Sequence, residues 1–73
     1  MRDKNDFLKM IGDRIRSIRV RNGISQEKLG ELCGLHRTYI GMIERGEKNI
    51  TIYNFWLISE SLNIDLRSFF NEL

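Results

Sequence analysis

The chain has 73 residues, 41% of them hydrophobic, which is enough for one small folded domain and too much for a disordered chain. Its single cysteine excludes an internal disulfide and leaves too few ligands for a structural zinc site, and no apolar run approaches the roughly 20 residues of a membrane span. The net charge is only +2, yet residues 1–49 hold eleven Lys/Arg against seven Asp/Glu. This basic excess fits an anionic partner, and scattered surface charge explains it equally well.

The first predicted element is a helix, because apolar side chains recur every three or four residues. These side chains are Phe7 or Leu8, then Ile11, Ile15 and Ile18. Asp6 is the expected N-cap of this helix. The helix should end at Arg21–Gly23, since glycine readily adopts the left-handed conformation that follows a helix.

The second and third predicted helices are short and closely spaced. Ser25 is the expected N-cap of the second, Leu29 and Leu32 should form its inner face, and Cys33–Gly34 ends it. The third helix should begin at Leu35 or His36 and end at Gly46. Its expected buried residues are Ile40 and Ile43.

Two further helices complete the predicted fold. Thr51 is the expected N-cap of a fourth helix that runs through Leu62, and Asp65 that of a fifth, "LRSFFNEL". Strand alternation and hairpin turns are missing from the sequence. We therefore predict an all-α fold, a compact domain of five short helices.

Helices two and three, joined by a short turn at Gly34, have the spacing of a helix-turn-helix with its core at about residues 25–46. In that unit the second helix enters the DNA major groove. An ordinary helical hairpin in a small bundle has the same spacing and stays open as an alternative. Gly30 and Gly41 are poor helix formers, so we expect them to mark close approaches, between helices at Gly30 and to the DNA backbone at Gly41.

The segment "SQEKLGELCGLHRTYIGMIERGEKNIT", residues 25–51, resembles the phage-repressor (Cro-like, XRE) helix-turn-helix family. Its part "HRTYIGMIERGEKNIT" is most similar to controller proteins of restriction–modification systems. The resemblance extends from about Ile11 to Phe70 and implies a lambda-repressor-like DNA-binding domain without a cofactor. We take residues 1–73 as this single domain. The resemblance also implies a homodimer that binds a palindromic operator at its own promoter, with RNA polymerase as a further candidate partner. The first ten residues lack the apolar stretch of a signal peptide, so we expect a cytoplasmic, nucleoid-associated bacterial protein.

The opening of the third helix carries side chains suited to base reading. Arg37 has a planar fork of donors that can engage O6 and N7 of guanine together, although a solvated charge is the alternative. Thr38 offers a hydroxyl to a base or a methyl group to thymine, and Met42, one turn on, offers apolar groove contact. Tyr39 is predicted to reach a backbone phosphate, with packing against the second helix as the alternative.

A second group of residues is predicted to contact the DNA backbone. Gln26 opens the second helix, where free amide hydrogens and the helix dipole favour phosphate. Lys48, Asn49 and Thr51 form a polar cluster at the start of the fourth helix, and Asn49 could instead only shape the loop. The family resemblance also implies that Arg19 pairs with Glu44 as a structural ion pair.

The fourth helix has more apolar side chains than one face can bury. The expected core stripe is Ile52, Phe55, Ile58, Ser59 and Leu62. The residues outside it or at its border are Tyr53, Trp56, Leu57 and Ile64. This excess predicts a dimer interface within about residues 50–73, and an apolar surface on a monomer is the alternative.

Three other functions stay open at this point. A phage or plasmid repressor, or an antitoxin, would share the fold and the DNA-binding residues. A protein-interaction module that had lost DNA binding would not need Gln26, Arg37 and Thr38 together with a basic rim. An enzyme is not expected, because one histidine and one cysteine without a supporting base or metal site form no catalytic set.

Overall fold

The computed structural model describes residues 3–71, and these residues form five α-helices and no strand. The helices are α1 (Lys4–Arg21), α2 (Gln26–Cys33), α3 (Arg37–Glu44), α4 (Ile52–Leu62) and α5 (Leu66–Phe70). The predicted all-α class is thereby confirmed. Of the segment predicted as the fifth helix, Glu72 and Leu73 lie outside the described residues. None of the helices within residues 3–71 has the length and apolar character needed to cross a bilayer.

Short polar side chains cap most of these helices as the sequence predicts. Ser25 Oγ accepts from Lys28 N at 2.9 Å, and Thr51 Oγ1 accepts from Asn54 N at 3.0 Å. The prediction for α1 is wrong, because Asp3 and not Asp6 is its N-cap. The Asp3 carboxylate accepts from Asp6 N at 2.8 Å. Asp6 therefore lies in the first turn, where its negative charge favours the helix dipole.

The core lies where α1 to α4 meet, around four fully buried aliphatic side chains, those of Ile15, Leu29, Ile40 and Ile58. Two residues that were predicted to lie in the core, Leu32 and Ile52, are exposed. Leu32 is 51% exposed, because α2 buries the face that carries Leu29, Gly30 and Cys33. Ile52 is 84% exposed, since the buried residues of α4 begin only at Phe55 and leave the first turn outside the core.

The position of α3 depends on backbone contacts at glycines. A Cβ atom at Gly12 would lie 2.3 Å from the carbonyl oxygen of Ile43, so α1 passes directly over the end of α3. At Gly30 a Cβ atom would meet the carbonyl oxygen of Leu35 at 2.3 Å, which is the predicted close approach between α2 and the turn before α3. The expectation for Gly41 is wrong, because this residue is buried against the Gln26 side chain and does not face outward.

Candidate nucleic-acid interface

A buried ion pair joins the first helix to the end of the third. Arg19 Nε donates to Glu44 Oε2 at 2.6 Å, and Arg19 Nη2 donates to Glu44 Oε1 at 3.0 Å. Both residues are buried, and Arg19 Nη1 also donates to the carbonyl oxygen of Ile24 at 2.8 Å. Arg19 and Glu44 thus form the ion pair that the family resemblance implies, with the two-point geometry that arginine makes with carboxylate.

The same carboxylate also holds the start of α2. Gln26 Nε2 donates to Glu44 Oε1 at 3.0 Å, so three helices meet at one buried charge. Among the described residues, every buried side-chain nitrogen and oxygen has a hydrogen-bond partner. We call Arg19, Gln26 and Glu44 the polar clamp. Because it joins α1, α2 and α3, it fixes the angle at which α3 is presented.

The first turn of α3 is exposed and capped by an imidazole. His36 Nδ1 accepts from Thr38 N at 3.0 Å, which places His36 as the N-cap. The side chains of Arg37 and Thr38 are exposed beside it, and Met42 is half-buried one turn further on. Thr38 and Met42, four residues apart, lie on one side of α3, and Arg37 is exposed in the same first turn as Thr38.

Tyr39 connects the third helix to the fourth. The side chain is half-buried against the core, and its hydroxyl oxygen accepts from Asn54 Nδ2 at 3.0 Å. The phenol can still donate its own hydrogen to an acceptor such as a phosphate oxygen. Asn54 was not singled out from the sequence, and its only signal is its place three residues after the Thr51 cap.

The residues predicted for the DNA backbone have different environments. Gln26 is half-buried, and its amide nitrogen donates inward to Glu44. Lys48 and Asn49 are exposed in the segment between α3 and α4. Thr51 is exposed too, with its hydroxyl oxygen engaged in capping α4. The structure places Lys48, Asn49 and Thr51 in one exposed stretch and Gln26 at the start of α2.

A second ion pair lies at the surface beside Lys48. Arg45 Nε donates to Glu47 Oε2 at 2.9 Å, and this hydrogen bond lowers the pKa of the Glu47 carboxyl and raises that of Arg45. Glu47 stays ionised at neutral pH and offsets the Arg45 charge. Lys48, the next residue, lies outside the Arg45–Glu47 ion pair.

The apolar excess of the fourth helix divides into two parts. Tyr53 and Trp56 are 64% and 51% exposed, and their rings stack with centroids 6.3 Å apart. Leu57 and Ile64 are only half-buried and pack against the core. We call Tyr53 and Trp56, together with Ile52, the apolar face of α4.

Residues 3–71 contain no group of three or more His, Cys, Asp or Glu side chains that could hold a metal ion. Cys33 is buried, and burial raises the pKa of its thiol above the ordinary value. A buried thiol of this kind packs as a small apolar group and is a poor nucleophile.

Comparison with known proteins identifies relatives of one kind. The model of a family described as Helix-turn-helix matches residues 15–69. Control protein C.SmaI of Serratia marcescens is 43% identical over 58 residues, which cover 80% of this chain and 69% of that protein.

Solved structures agree with these sequence matches. The restriction–modification controller protein C.AhdI of Aeromonas hydrophila superposes with a TM-score of 0.84 and 38% identity, over 89% of this chain and 98% of the other. The controller protein C.Esp1396I, as a tetramer in complex with its natural 35 base-pair operator, has a TM-score of 0.80 and 37% identity over 89% and 86% of the two chains.

Proposed function

Because the chain belongs to the helix-turn-helix family, we propose that it is a transcription regulator that binds a palindromic DNA operator as a homodimer, in the role of a restriction–modification controller. The family resemblance seen in residues 25–51 is confirmed. The matched relatives are regulators and not enzymes, and we assign this chain the same kind of role. RNA polymerase is the partner that we propose for the bound dimer at a promoter in the bacterial nucleoid.

The main support for this proposal is that the first turn of α3 is exposed while the polar clamp holds the end of the same helix in place. Arg37 and Thr38 project from a helix whose angle is fixed by Arg19, Gln26 and Glu44. A rigid helix with exposed donors at its N-terminal turn is what reading base edges in the major groove requires. Arg37 is assigned to guanine and Thr38 to the neighbouring base, with Met42 in apolar contact.

Backbone contacts complete the proposed footprint. Lys48 and Asn49 follow the reading residues in the chain, and the Tyr39 hydroxyl lies within α3. We assign all three to phosphates. The amide hydrogens at the start of α2, next to Gln26, provide a second anchor. Such contacts position the protein without reading sequence.

A dimer is part of the proposal because one helix reads only a few base pairs. Two copies related by a twofold axis would place their recognition helices about 34–36 Å apart, which doubles the site and makes it palindromic. The apolar face of α4 is the surface that we assign to this contact.

The test uses DNA selected by the protein itself from a random duplex library, with a scrambled duplex as reference. Arg37→Ala should reduce affinity for the selected duplex by about 1–3 kcal/mol and leave affinity for the scrambled duplex nearly unchanged. Lys48→Ala is the matched control. It should weaken both complexes alike and lower the slope of log affinity against log salt by about one.

Two results would contradict the proposal. Equal weakening of both duplexes by Arg37→Ala would make Arg37 a phosphate contact. A wild-type protein that selects no sequence from the library would favour the protein-interaction module instead.

A further inference from the structure

An acidic side chain stands among the residues assigned to DNA. Glu27 is the second residue of α2, directly after Gln26, and its side chain is 64% exposed. Because a carboxylate close to the phosphate backbone is repelled by it, we expect Glu27 to weaken binding to DNA of any sequence.

The contact that Glu27 makes is to the proposed base-reading arginine. Arg37 Nη1 donates to Glu27 Oε2 at 3.1 Å, which joins α2 to the first turn of α3. The contact is made by Nη1 alone, so the edge formed by Nε and Nη2 stays available. That edge carries the two parallel donors that guanine O6 and N7 accept.

The neighbouring cation of α2 has a different partner. Lys28, the next residue after Glu27, forms an ion pair with Glu31, with Lys28 Nζ 3.8 Å from Glu31 Oε2. Arg37 is therefore the cation that Glu27 contacts directly.

We propose that Glu27 is a positioning residue that orients Arg37 for guanine and thereby increases sequence discrimination. The inference rests on the function proposed above. An arginine side chain has many rotamers, and fixing one end before binding removes part of the ordering that would otherwise accompany base contact. The repulsion between the carboxylate and phosphate lowers affinity for selected and scrambled DNA alike, so it leaves the ratio of the two affinities unchanged. The larger ratio comes from the orientation of Arg37.

The test measures that ratio for Glu27→Ala by fluorescence anisotropy with the selected and scrambled duplexes. Glu27→Ala should tighten binding to the scrambled duplex and lower the ratio about two- to fivefold, the range expected for an exposed ion pair. Glu27→Gln keeps an oxygen acceptor for Arg37 without the charge, so it should tighten both complexes while retaining more of the ratio.

Glu31→Ala is the matched control, since Glu31 is a similarly exposed acid on α2, at 62%, that pairs with Lys28. It should change both affinities alike and leave the ratio unchanged. In an Arg37→Ala background, Glu27→Ala should also leave the ratio unchanged, because the group that Glu27 orients is gone.

An unchanged ratio for Glu27→Ala in the presence of Arg37 would overturn this inference and reduce Glu27 to a repulsive charge. That outcome differs from a failure of the proposed function, in which the wild-type protein itself would show no preference for any duplex.

Discussion

Two regions of this domain, the helix-turn-helix and the exposed face of α4, are stabilised in opposite ways. In the helix-turn-helix, a buried carboxylate receives three hydrogen bonds from Arg19 and Gln26, and the exposed side chains at the start of α3, Arg37 and Thr38, are polar. On α4, the contacts are apolar and two stacked aromatic rings, Tyr53 and Trp56, remain exposed. The helix-turn-helix satisfies its buried polar groups within one chain. The face of α4 leaves apolar area uncovered, which is typical of a surface that a partner covers.

The contrast indicates that the rigidity of α3 and the association of two copies depend on different parts of the chain. The reading helix is held by directional bonds whose loss leaves a buried charge unpaired. The side chains of the apolar face of α4 are more than half exposed, so they bury little area and contribute little to the stability of the single chain. Three substitutions test the contrast, ordered by their effect on the free energy of unfolding.

The largest effect is expected at the polar clamp. Glu44→Gln should lower the free energy of unfolding by about 3–5 kcal/mol, because the Arg19 guanidinium would stay buried without a counter-charge. The double variant Arg19→Met/Glu44→Leu should recover much of this loss, since neither charge is then present. Urea denaturation followed by circular dichroism measures both. A loss below 1 kcal/mol for Glu44→Gln would show that the clamp contributes no more than a surface pair.

A smaller effect is expected at the cap of the reading helix. His36→Ala removes the acceptor for Thr38 N and should lower the free energy of unfolding by about 1 kcal/mol. His36→Asn is the control, because asparagine is a strong N-cap and should keep or increase stability. Thermal melts compare the three proteins. Equal melting temperatures for alanine and asparagine would mean that the imidazole does not cap α3.

The smallest effect on the fold is expected on α4. Trp56→Ser should change the stability of the single chain by no more than about 0.5 kcal/mol, yet convert a dimer to a monomer in sedimentation. Leu32→Ser is the control, since Leu32 is equally exposed at 51% but lies on α2. A dimer that survives Trp56→Ser would move the interface away from this face. Leu57→Asp is a less clear test, because Leu57 packs against the core.

Much of the fold could be predicted from the sequence because local signals and periodicity agree. Ser25, Thr51 and Asp65 each cap the helix that was expected to follow them. The α1 cap was misplaced because Asp3 and Asp6 are three residues apart and both suit the role. Leu32 and Ile52 were misplaced because helical spacing defines a face without showing how far the neighbouring helices cover it.

The candidate site could be predicted only in part, because its support comes from tertiary contacts. The positions of Arg37 and Thr38 follow from the helix-turn-helix spacing. The hydrogen bond from Asn54 to Tyr39 and the ion pair of Glu27 with Arg37 join residues 15 and 10 positions apart. Gly12, which lets α1 pass over α3, has the same signal as Gly30, a glycine inside a helix, but that signal does not identify the segment that packs against it.

The separation of the polar clamp from the exposed turn of α3 has an evolutionary consequence. Arg37 and Thr38 are exposed, so most substitutions at these positions change stability by no more than about 0.5 kcal/mol. Arg19, Gln26 and Glu44 share one network, so a change at any of them calls for a matching change at another. A descendant of this chain can therefore acquire a new operator by drift at the codons of Arg37 and Thr38, while Arg19, Gln26 and Glu44 are inherited together.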